Sequence, residues 1–74
     1  MKLYEVLQMI DKELDKAQSK FKPYNSAHEG YAVIKEELDE LWDEIKHNPK
    51  DWKRIQEEAV QVATTAIRFL TDLT

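Results

Sequence analysis

No cysteine occurs in the 74 residues, and there are only one glycine and two prolines. Without cysteine there is neither a disulfide nor a thiolate metal site. A chain this short buries little surface, so its remaining sources of stability are a bound metal, a partner subunit, or both. The lack of thiols fits a reducing compartment. So little glycine and proline, with slight clustering of β-branched residues, leaves little room for tight turns and favours helices over strands. Long apolar runs are missing too. The N-terminal MKLYEVLQMIDKELDK alternates charged and apolar residues, which gives neither a secretory h-region nor a membrane span. A soluble, cytoplasmic, single domain over residues 1–74 is therefore expected. Basic residues are outnumbered by acidic ones, 11 to 15, for a net charge of -4. A nucleic-acid polymer is not the expected partner of such a chain. Cations are, or a phosphate ligand that arrives with its own metal.

Apolar residues recur at spacings of three and four. Leu3, Leu7, Ile10, Leu14, Ala17 and Phe21 form one such series. Ala27, Tyr31, Ile34, Leu38, Leu41 and Ile45 form a second, and Trp52, Ile55, Ala59, Val62, Ala66, Phe69 and Leu73 a third. Each is the stripe of one amphipathic helix. Pro23 interrupts the first series, and Ser26-Ala-His-Glu29 reads as a capping box opening the second. Asn48-Pro49 reads as the end of the second helix and the cap and first turn of the third. The spacing thus predicts an all-α chain with helices over 2–21, 27–47 and 49–73.

The third helix carries a second apolar series, Val60, Ala63, Ile67 and Leu70. Three helices of one chain cannot easily cover so much apolar surface. A subunit interface is expected there, with a homodimer or homotetramer completing a four-helix core. Trp42 and Trp52 are expected in the core or in that interface.

Lys35 to Ile45, KEELDELWDEI, holds six acidic residues in eleven. A solvated helix face accounts for such a run when it stands alone. Glu37, Glu40 and Glu44, however, line one edge beside the apolar stripe. Glu58 and Gln61 lie one turn apart at the edge of the third helix. Antiparallel packing of these two helices would bring Glu37 and Glu40 opposite Glu58 and Gln61. Carboxylates so close repel one another and rise in pKa unless a cation neutralises them, and hard oxygen donors suit Mg²⁺ or Mn²⁺.

Glu36-Glu37-x-x-Glu40 followed by Glu58-x-x-Gln61 resembles the EExxE…ExxD signature of the MazG-like all-α nucleoside triphosphate pyrophosphohydrolases. The surrounding AVIKEELDELWDEI and EEAVQVATTAIRFL are similar to that family as well, and the likeness covers residues 26–72. The resemblance implies a three-helix chain of MazG-like type that converts a nucleoside triphosphate to the monophosphate and pyrophosphate. It implies Mg²⁺ held by Glu37, Glu40, Glu58 and the residue at 61, with Glu36 orienting or deprotonating the attacking water. Gln61 stands where the family has Asp; its carbonyl can still ligate, with one negative charge fewer. Arg68 is a candidate to meet phosphate charge or a neighbouring carboxylate, and His28 to contact the nucleotide or cap its helix. Two readings follow: an active pyrophosphohydrolase, or a weak or inactive relative that binds nucleotide or a protein partner.

Overall fold

In a computed structural model describing residues 1–74, the chain is all-α, with no strand: α1 (Leu3–Lys20), α2 (Ala27–Lys46) and α3 (Trp52–Leu73). The ends of α1 and α2 fall where their punctuation placed them. At the start of α1, Glu5 accepts from the Lys2 backbone N–H at 3.1 Å. Ser26 caps α2 by accepting from the Glu29 backbone N–H at 3.1 Å. The second half of the expected capping box is displaced by one residue, because the Glu29 carboxylate accepts from the backbone and side chain of Asn25 at 3.4 and 3.0 Å.

The third helix starts later than residue 49. Asp51, and not Asn48, is its cap; the Asp51 carboxylate accepts from the backbone N–H groups of Lys53 and Arg54 at 3.2 and 3.3 Å. A carboxylate accepting from two free N–H groups also gains from the positive end of the helix dipole. Pro49 is left in the connecting turn.

α3 is the central element. Both α1 and α2 pack on it, and they do not pack on one another. The close approach of α2 depends on Gly30, which is buried. A Cβ at that position would stand 2.6 Å from the Phe69 ring and 3.2 Å from Tyr24. Tyr24, in the α1–α2 connection, is buried, and its backbone N–H donates to Asp72 Oδ2 at 3.1 Å. That bond fastens the connection to the far end of α3.

Only Tyr24, Ile55 and Val60 are buried hydrophobic side chains. Val60 and Ala63, which the spacing assigns to a subunit interface, sit beside Val6, Met9 and Ile10 of α1. The second apolar series of α3 is therefore covered in part by the chain's own first helix. Ile67 is half-buried, and Leu70 stays exposed. Trp42 and Trp52 are exposed as well and belong to no core of the single chain. No helix is long and apolar enough to cross a membrane.

Candidate metal centre

Antiparallel packing of α2 on α3 does what the spacing required. Glu37 and Glu40, one turn apart on α2, face Glu58 of α3, and one carboxylate oxygen from each lies within 4.8 Å of the others. Glu37 and Glu58 are half-buried, while Glu40 stands at the solvent edge. Burial and then the neighbouring Glu40 push Glu37 up to about 7. Glu58 is raised for the same two reasons. Its Oε2 is buried and has no hydrogen-bond partner. A buried acceptor without a donor is costly, and a hard cation among three carboxylates would both satisfy it and remove the repulsion. The donor set fits such an ion.

Glu44, one turn beyond Glu40, is taken up by Arg54 at 3.2 Å across the helix pair. It closes one end of the acidic edge. At the other end, Glu36 and Glu37 line a cleft of about 550 Å³ between α1 and α2. Its floor is α3, through Gln61, Thr64, Thr65 and Arg68. The two threonines are buried and donate back to their own helix, to Val60 O at 2.8 Å and Gln61 O at 2.9 Å. They leave Arg68 as the charged group of the floor.

Gln61 lies on the floor of this cleft, and its amide nitrogen is engaged by α1. Nε2 donates to Glu13 Oε2 of α1 at 2.8 Å. A carboxylate can only accept, so the amide nitrogen must face Glu13 and the carbonyl oxygen is directed elsewhere. Arg68 is buried, donates to the Lys22 carbonyl at 3.3 Å and lies over the Tyr24 ring at 4.4 Å. Its carboxylate neighbour is Asp72 of its own helix, at 3.8 Å, and not a residue of another helix. His28 is not brought to this site. It lies nine residues from Glu37, about half a turn around α2, and lines a separate apolar groove with Tyr31 and Leu70.

Comparison of the chain with models of protein families, with curated proteins and with solved structures finds no match. The likeness to the MazG-like pattern therefore rests on the paired motif and the sequence around it.

Three residues that matter here carried no signal in the sequence. Glu13 looks like any polar residue of an amphipathic helix, and its bond to Gln61 spans 48 positions. Tyr24 and Asp72 likewise meet only because the α1–α2 connection folds back on the end of α3.

Proposed function

We propose that the chain is a Mg²⁺-dependent nucleoside triphosphate pyrophosphohydrolase of MazG-like type. It would work in the cytoplasm as a homodimer or homotetramer, with a four-helix core completed between subunits. The reaction adds one water across a phosphoanhydride bond, so that a nucleoside triphosphate yields the monophosphate and pyrophosphate. One observation carries the reading: three carboxylates from two helices converge within 4.8 Å, one of them with a buried oxygen that has no partner.

Glu37, Glu40 and Glu58 would hold Mg²⁺, or Mn²⁺ in its place, with the Gln61 carbonyl as a neutral fourth donor. When bound, the ion supplies Lewis-acid polarisation of phosphate oxygens and lowers the pKa of a water molecule. Glu36, beside Glu37 on the cleft wall, would accept the water's proton. Arg68 presents positive charge on the cleft floor, held in place by the Lys22 carbonyl and the Tyr24 ring.

A second reading has a specific observation behind it. Gln61 supplies no carboxylate, and its amide is already bound to Glu13, so the site is one negative charge short of the resembled pattern. A protein that binds nucleotide or a protein partner through this cleft without hydrolysing anything is consistent with that. The deciding experiment measures pyrophosphate release from a panel of nucleoside triphosphates with and without Mg²⁺. Release that needs Mg²⁺ and is lost in Glu58→Gln supports the enzyme. Saturable Mg²⁺-dependent nucleotide binding without release supports the second reading.

A further inference from the structure

The chain exposes 5677 Å². A compact monomer of its 8.8 kDa mass exposes about 4,800 Å². The difference is about 900 Å², close to the ~800 Å² that each subunit contributes to a standard protein–protein interface. Exposed apolar side chains lie on α1 (Leu3, Tyr4, Leu7), at Trp52, and on one edge of the α2–α3 pair, where they adjoin a groove. Tyr31, Leu38 and Trp42 of α2 are 63%, 51% and 57% exposed, and Leu70 of α3 is 60% exposed. At about 100° per residue, the three α2 side chains point some 160–180° away from Glu40. Tyr31 and Leu70 share the walls of an apolar groove between α2 and α3, on the edge of the helix pair opposite the carboxylates.

Charge selects the occupant. A chain of net charge -4 meets repulsion when two copies approach, unless the meeting faces are locally neutral. This edge is. Lys35 pairs with Asp39 at 3.0 Å, and Lys46 with Asp43 at 3.3 Å, along the outer side of α2. The clustered carboxylates Glu37, Glu40 and Glu58, none in an ion pair, lie on the other edge. A neutral apolar face with ion pairs at its rim is self-complementary, as an isologous two-fold contact requires.

We infer that a second copy of this chain docks on the α2–α3 edge formed by Tyr31, Leu38, Trp42 and Leu70, two-fold and face to face, leaving each acidic cleft open on the outside of the dimer. This specifies the homo-oligomer in the function proposed above and rests on none of its chemistry. It also moves the contact from the Val60 side of α3, which α1 already covers, to the outer side of α2.

The absence of cysteine makes the test clean. Sedimentation at micromolar concentration should give twice the 8.8 kDa chain mass. Trp42→Glu should sediment at the single-chain mass while keeping its helical circular dichroism. Because that variant could unfold, placement is read independently from single cysteines in the otherwise native chain, treated with a short bismaleimide. Leu38→Cys should cross-link to a dimer, and Lys12→Cys, on an exposed side of α1, should not cross-link. A folded single-chain species for the parent would overturn both this inference and the homo-oligomer. A dimer that cross-links through Leu7→Cys of α1 but not through Leu38→Cys would overturn the placement and leave the homo-oligomer standing. Mg²⁺ binding, measured separately, bears on the chemistry alone.

Discussion

The Gln61 carboxamide donates to Glu13 Oε2 at 2.8 Å and so ties α1 to the floor of the acidic cleft. The same bond, with Lys16 nearby, holds the Glu13 carboxyl group below its ordinary pKa, and it is ionised at neutral pH. Gln61→Asp, which completes the resembled motif, would replace the donor with a second acceptor facing that charge. Hydrogen bonds to charged groups contribute about 1.5–3 kcal/mol. Partial exposure reduces this, and a metal-free loss of about 1–2 kcal/mol is expected in a urea titration. Adding Glu13→Gln should restore most of it. With Mg²⁺ present, Gln61→Asp should release pyrophosphate faster than the parent. Equal metal-free stability of parent and variant would mean that the Glu13 contact contributes nothing.

Divalent metal should stabilise the fold, since an ion bound only by the native state raises the melting temperature by mass action. Thermal scans with and without millimolar Mg²⁺ or Mn²⁺ test this directly. Glu40→Gln removes one of three charges at the solvent edge and should leave the helices intact. Its Mn²⁺ affinity should fall about tenfold or more, because even residues that only support a ligand are typically worth that much. Superimposable scans for the parent would return the cluster to an ordinary solvated edge.

Metal-free stability should fall as the pH rises from about 4.5 to about 7. Glu37 titrates near 4.5 when unfolded and near 7 when folded, so the native state binds more protons across that window. Its contribution is fully present below the unfolded value and is lost as pH passes the folded one. Glu58 is displaced in the same direction. Melting temperatures should therefore decline between pH 5 and pH 8 in chelator, and Glu37→Gln should flatten the decline. Saturating Mg²⁺ should remove most of it at pH 8. A melting temperature that rises across the same window in chelator would contradict the clustered geometry.

Gly30→Val should loosen the α2–α3 pair. The new Cβ would start 2.6 Å from the Phe69 ring, and overpacking of this kind typically costs about 1–3 kcal/mol. Chemical denaturation measures the loss. Because Glu37 lies two turns along the same helix, Mn²⁺ affinity should fall with stability. A variant as stable as the parent would show that Phe69 can swing aside freely.

Hydrophobic spacing by itself determined three helices, their approximate ends and the side of each that is apolar. It also put Glu37 beside Glu40, and Glu58 beside Gln61, because residues three and four apart in one helix must be neighbours. These are local consequences of helical geometry, legible wherever the chain is helical. What spacing cannot set is the angle at which one helix is rolled against another, which depends on side chains far apart in the chain. Gly30 against Phe69 set how closely α2 approaches α3 and so brought three carboxylates within 4.8 Å. α1 against Val60 covered a surface that looked destined for a partner, and placed Glu13 where it captures the Gln61 amide. The start of α3 was decided at Asp51, whose carboxylate accepts from two backbone N–H groups. The stripe was blind to it, since a cap lies outside the repeating pattern. The acidic pairs were written in the sequence; their convergence, and the capture of the Gln61 amide nitrogen by Glu13, came only with packing.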